Sequence, residues 1–236
     1  MLIFEHDIEI LDVVKRRFVR RQQMPERKGE SAGLGLRERG KRERLRRIKE
    51  AAHEAFRTQG YNGASTREIA RQADVSIGTL FVYAQDKRDL LFLVLNEDLD
   101  PLFRQALSGV LPDAPVLDQL VSLLHPIYEY FAAEPELARA SLREMGHFDP
   151  RSPEAGKQAK RYNDRMTGWR DALAAILLRT KKSHRLKIGN DYRLLANALF
   201  DVHLGAVRGW LQDEKPELER GIGSLKAMFR VVIGER

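Results

Sequence analysis

Residues that usually carry chemistry are scarce or scattered in this chain. Cysteine is absent, which removes thiolate catalysis, disulfides and sulfur-held metals. The six histidines (His6, His53, His125, His147, His184 and His203) include no pair spaced as metal ligands on one helix face. There is no glycine-rich phosphate loop and no nucleophile elbow. No catalytic centre, metal or cofactor is therefore expected. What stands out is a run of small, hydroxylic and turn-forming residues from Ser65 to Lys87. Ser65-Thr66-Arg67-Glu68 reads as a capping box, with Ser65 capping a helix and Glu68 reaching back to the Ser65 amide. Asp74 stands at a turn that needs positive φ, where Asp is tolerated and glycine is least strained. Val75 plugs the angle between two helices, and Ser76 caps the second. That second helix, Ile77 to about Tyr83, has no acidic residue. Gly78 lets its backbone approach a partner, Thr79 and Tyr83 offer hydroxyls suited to phosphate oxygens, and Leu80 anchors it to a core. Lys87, beside the amides that open the following helix, suits a further phosphate. This is chemistry for gripping double-stranded DNA.

Such a surface needs a rigid frame, and nearly every segment supplies helix. Apolar residues recur at three- and four-residue steps, and turn clusters divide the chain into about nine helices. Leu45, Ile48, Ala52, Ala55 and Phe56 form one buried stripe on a helix that ends at Gly60. The spacing predicts an all-α protein: an extension over 1–38, a helix-turn-helix domain over 39–91 and a larger helical domain over 92–236. The 236 residues, 43% hydrophobic and 32% charged, suffice for a sizeable core. No apolar run approaches the roughly 20 residues that span a bilayer, so a cytoplasmic protein with no membrane role is expected. The net charge is +7. Basic residues crowd from Lys15 to Lys49, either as a DNA footprint or as a solvated face. Over 1–23 two readings stand: an arm along DNA phosphates, or an over-extended reading frame whose true start is Met24.

The run Phe56-x-x-x-Gly60-Tyr61-x-x-x-Ser65-Thr66-x-Glu68-Ile69-Ala70-x-x-Ala73-Asp74-Val75-Ser76-x-Gly78-Thr79-Leu80-Phe81-x-Tyr83-x-x-x-Lys87-x-x-Leu90-Leu91 resembles the DNA-binding domain of the TetR family of repressors. It departs from the family pattern at Asp74 (usually glycine), Phe81 (commonly tyrosine) and Ala84 (typically phenylalanine). Phe81 lacks a hydroxyl that would reach phosphate, and Ala84 leaves space that a neighbour must fill. The resemblance implies that Thr66, Arg67, Ser76, Ile77, Gly78, Thr79, Tyr83 and Lys87 lie near DNA. Ile77 would meet a thymine methyl or simply fill the groove wall.

The same resemblance implies a C-terminal domain that binds a small-molecule effector and forms a homodimer. Tyr128, Phe131, Met145, Phe148, Tyr162, Met166 and Trp169 would wall the effector pocket, which suggests an apolar or aromatic ligand. His125, Arg143 and His147 would add polar contacts. Pro126 is expected to start or kink its helix. Leu195, Leu199, Val202, Ala206 and Trp210 share one face over 191–212, and Leu218, Ile222, Leu225 and Phe229 share one over 216–232. The two faces would form a four-helix dimer interface, or else lie buried within one subunit. A dimer would set two reading helices about 34–36 Å apart on a near-palindromic operator, released by the effector. The alternative is a DNA-binding regulator or architectural protein that answers to no effector.

Overall fold

The structure, a computed structural model, describes residues 33–146, 149, 152, 154–182 and 191–234. The expected N-terminal extension and alternative start thus lie mostly outside the described residues, as do Phe148, His147 and His184. Among the described residues there are nine helices and no strand. They are α1 (Gly33–Gly63), α2 (Thr66–Gln72), α3 (Ile77–Tyr83), α4 (Lys87–Gly109) and α5 (Val116–Ala133). The series continues with α6 (Pro135–Met145), α7 (Lys157–Lys182), α8 (Tyr192–Trp210) and α9 (Leu218–Ile233).

These helices group into two compact units. Among the described residues, one contains those from 33 to 98 together with 136–163; the other contains 99–135 and those from 164 onward. The helix-turn-helix unit also holds α6 and the first turns of α7.

In that unit the stripe Ile48, Ala52, Ala55 and Phe56 is buried together with Ile69, Ala70, Leu80 and Ala84. Leu45 is half-buried. Solvent does not reach Ala84, so the space left by its small side chain is closed. Gly60 interrupts α1 with φ 69° and ψ 165°, a conformation that side chains rarely adopt. Asp74 has φ 51°. Its carboxylate accepts from Arg47 of α1 at 2.7 Å. Ser76 caps α3 by accepting from the Thr79 amide at 3.1 Å. The capping box at α2 does not form. Ser65 takes the cap position without a side-chain bond. Glu68 instead pairs with Arg71 one turn on and accepts from Gln72.

In the other unit, α9 packs against α5 and α8. A Cβ on Gly221 would come within 2.7 Å of the Trp210 ring, so glycine is needed there for the close approach of α9 to α8. Trp210 Nε1 donates to the Glu217 carbonyl at 2.8 Å. Asp191 caps α8 by accepting from the Leu194 amide at 3.0 Å. Pro126 neither starts nor ends a helix: α5 begins at Val116 and runs through it to Ala133. Arg165 and Asp100 form a fully buried ion pair at 2.9 Å. No helix among the described residues is long and apolar enough to cross a membrane.

Candidate nucleic-acid interface

Helices α2 and α3, joined by the turn at Asp74, present a surface of one chemical kind. Arg67, Ser76 and Gly78 are exposed, and Thr66 and Thr79 are half-buried. Beside them Ile77, Phe81 and Val82 are 38%, 45% and 68% exposed, although they are large apolar side chains. The exposed face of α3 therefore has no carboxylate to repel phosphate. Gly78 is informative because nothing inside the protein demands it. A Cβ there would meet only Ser76 Oγ, at 3.9 Å. Glycine in a helix costs about 0.5–1 kcal/mol relative to alanine, so its use here points to something approaching from outside.

Two expected phosphate ligands are engaged within the protein. The Tyr83 hydroxyl donates to the Lys41 carbonyl at 3.3 Å, tying α3 to α1. The Lys87 ammonium donates to the carbonyls of Asn62 (3.1 Å) and Ala64 (3.2 Å) and lies 5.0 Å from the centre of the Tyr61 ring. An ammonium has three protons, so one remains for a phosphate. Both residues brace the reading surface, a role that the sequence did not suggest.

Sequence reasoning missed the exposed Val82 and the place of Lys157 beside the basic run that it reads as a DNA footprint or a solvated face. A groove of about 540 Å³ runs beside α3, lined by Leu36, Arg37, Lys41 and Arg44 of α1, Val82 and Tyr83 of α3, and Lys157 of α7, among others. The α1 cations divide into two sets. Arg42, Arg46, Arg47 and Lys49 pair with Glu38, with Glu43 and Glu50, with Asp74 and with Asp98 respectively. Arg37, Arg39, Lys41 and Arg44 are exposed and have no carboxylate partner among the described residues. Burial lowers the Lys157 pKa, and the nearby Lys41 charge adds to that.

The expected effector wall is divided. Met145 and Tyr162 belong to the helix-turn-helix unit; Tyr128, Phe131, Met166 and Trp169 belong to the other. Tyr162 packs on Phe92 with ring centres 4.8 Å apart, and Trp169 meets Phe103 edge-on at 4.4 Å. Tyr128 stacks near Trp210 at 5.1 Å and His203 at 5.5 Å. The Tyr128 hydroxyl, Trp169 Nε1 and His203 Nδ1 are buried without a hydrogen-bond partner among the described residues. Burial raises the Tyr128 pKa and pushes that of His203 down to about 3. His125 is half-exposed, 3.6 Å from Glu129, and Arg143 is exposed.

The expected dimer stripe also divides. Leu199, Ala206, Trp210, Leu225 and Phe229 are buried within the chain itself, because α9 lies on α5 and α8. Leu195, Val202, Leu218 and Ile222 are half-buried.

Residues 48–94 match the family model for bacterial regulatory proteins of the tetR family. The fatty acid metabolism regulator protein of Bacillus subtilis (strain 168) is 24% identical over 179 residues, spanning 75% of this chain and 89% of that protein. An HTH-type transcriptional regulator of Staphylococcus aureus (strain USA300) is 37% identical over 59 residues, 25% of this chain and 32% of its own length. The transcriptional regulator FadR from Bacillus subtilis, solved with stearoyl-CoA, shares the fold with a TM-score of 0.62 at 20% identity, over 80% of this chain and 98% of that one. Thermus thermophilus FadR, solved with lauroyl-CoA, gives 0.63 at 22% identity, over 80% and 92%. The reading surface built by α2 and α3 thus lies within the segment that matches the tetR family of bacterial regulatory proteins, and over most of its length the chain is similar to regulators of that kind.

Proposed function

We propose that this regulator is a cytoplasmic repressor that binds a near-palindromic operator as a homodimer and leaves it when a long-chain acyl-CoA binds. The observation that carries the DNA half of this reading is the carboxylate-free face of α3, with a glycine at Gly78 that no internal contact requires. By this reading Arg67, Thr66, Ser76, Ile77 and Thr79 face the major groove, and Lys41, Arg44 and Lys87 hold phosphates.

The pairing surface differs from the apolar stripe. On α8, Leu194 is 63% exposed and is followed along the outward side by Ala198, Gly205 and Gly209; on α9, Met228 and Val231 are 42% and 80% exposed beside Gly223 and Ala227. A Cβ at Gly205, Gly209 or Gly223 would have nothing within 4 Å. Small residues that no intrachain contact explains suit the close approach of a second copy. The effector half is supported by the fold shared with two regulators solved with acyl-CoA. The buried, unpartnered Tyr128 hydroxyl and Trp169 Nε1 add to it, as polar atoms that a ligand would satisfy.

The test is a selection of genomic fragments by the purified protein at two salt concentrations, with and without stearoyl-CoA. The expected result is a few near-palindromic sites, lost when stearoyl-CoA is added. Only diffuse, salt-sensitive binding would overturn the specific regulator. Sites retained in stearoyl-CoA would overturn the effector.

A further inference from the structure

The turn that opens α7 is tied into the reading head by a set of bonds that helix-turn-helix architecture alone does not require. The last carbonyls of α3 have no partners within their own helix. Here the Val82 carbonyl accepts from the Lys157 ammonium, and the Tyr83 carbonyl accepts from Gln158 Nε2 at 3.2 Å. In the opposite direction, the first amides of α7 need acceptors, and Asp89 of α4 supplies them. Its Oδ1 accepts from the backbone N–H groups of Gln158 (2.9 Å) and Ala159 (2.8 Å). Its Oδ2 accepts from the Gln85 amide (3.0 Å), at the corner where α3 gives way to α4. Asp89 is 2% exposed, so these bonds form away from water.

Three further contacts hold the junction. Asn96 donates to the Gln158 carbonyl at 2.9 Å and to its Oε1 at 3.2 Å, which fixes the orientation of the Gln158 amide. Gln85 Nε2 donates to the Glu154 carbonyl at 3.2 Å. Gly156 is obligatory, because a Cβ there would run into the Asp89 carboxylate. Helix α7 then continues unbroken to Lys182, carrying Met166 and Trp169.

We infer that Gln158 and Lys157 are positioning residues for operator reading: they hold the C-terminal end of α3, and effector binding lowers operator affinity by loosening this fastening. The effector clause rests on the reading given under Proposed function; the positioning clause does not. A loosened fastening leaves the DNA-facing side chains and the charge of the head unchanged. It widens only the range of poses open to α3. Specific reading, which needs aligned base contacts, then falls, while charge-driven binding to any duplex persists. Because linkage is reciprocal, a chain already loosened also binds the effector more tightly.

The test uses the full-length chain with Gln158→Met, which keeps the side-chain bulk and removes the amide. Three dissociation constants are measured at one salt concentration: for the best duplex from the genomic selection, for a scrambled duplex of equal length, and for stearoyl-CoA without DNA. The selected duplex is also titrated in saturating stearoyl-CoA. The variant loses the hydrogen bond to the Tyr83 carbonyl and the Asn96 bond that orients it; the first, which alone holds α3, predicts roughly a 3- to 10-fold weaker selected-duplex affinity. Scrambled-duplex affinity should stay unchanged, and the stearoyl-CoA effect on the selected duplex should shrink. Stearoyl-CoA should bind the free variant more tightly than the parent. Equal losses on both duplexes would mean a loss of folded protein and overturn the proposal, as would an unchanged selected-duplex affinity. If stearoyl-CoA leaves the parent unaffected, the effector reading fails, and the ratio of the two duplex affinities alone decides the positioning role.

Discussion

Replacing Gly78 with alanine should separate folding from DNA binding in opposite directions. The added methyl meets only Ser76 Oγ at 3.9 Å, so it strains nothing in the free protein. Alanine lowers the entropic cost of holding a helix relative to glycine, by up to about 1 kcal/mol. Gly78 lies in the first turn of a seven-residue helix, so roughly half of that gain is expected. In a chain of this size about 1 kcal/mol moves Tm by about 2–4 °C, so Gly78→Ala should melt about 1–2 °C higher. Against DNA the same methyl occupies the space where backbone and duplex meet. Operator affinity should fall at least about tenfold, which is about 1.4 kcal/mol. Thermal denaturation of the free protein and an anisotropy titration on the selected duplex at fixed salt measure the two effects. A variant that melts higher and binds as tightly as the parent would refute the placement of α3 against DNA.

Four other outcomes follow from the same geometry. His203 is neutral in the fold, with a pKa near 3 against about 6.5 when unfolded. Its contribution to stability is therefore complete above pH 6.5 and is lost as pH falls towards 3, by about 2 kcal/mol between pH 7 and pH 5. Urea unfolding of His203→Gln at those two pH values should show a correspondingly flatter dependence. Replacing both Lys41 and Arg44 with Gln should reduce the slope of log affinity against log salt by about 1 per side chain that touches phosphate. Leu194→Glu together with Val231→Glu should leave the fold intact, since both residues are 63% or more exposed, yet shift light scattering from dimer to monomer mass. Asp100→Ala should destabilise the fold by removing the carboxylate that lies 2.9 Å from the buried Arg165, as read by denaturant unfolding.

What was legible in the sequence was local. The Gly60 break, the Asp74 turn, the Ser76 cap and the stripe of α1 each depend on residues within a few positions of one another, and each stands as expected. The Ser65–Glu68 box was local too, but Arg71 offered the Glu68 carboxylate a charged partner one turn on. Periodicity identified the buried faces of α8 and α9 without saying what covers them. Trp210 and Phe229 turned out to be hidden inside their own subunit, whereas Ala198, Gly205 and Ala227 are too small to register as an apolar signal. The α7 partners of Asp89 lie some 70 positions away, as do those of the Val82 and Tyr83 carbonyls. No pattern of spacing foretells such bonds.

Ile77, Phe81 and Val82 leave the reading head partly apolar, and this gives its binding a thermodynamic signature. Burying these side chains against thymine methyls and sugar edges releases water rather than counterions. The affinity that survives in concentrated salt should therefore come from this face, and it should carry a negative heat capacity of binding. Calorimetry at several temperatures would then separate two layers within one interface. On the proposed reading, the α1 cations would set how fast and how loosely the protein finds DNA, and three hydrocarbon side chains on a seven-residue helix would set what it keeps.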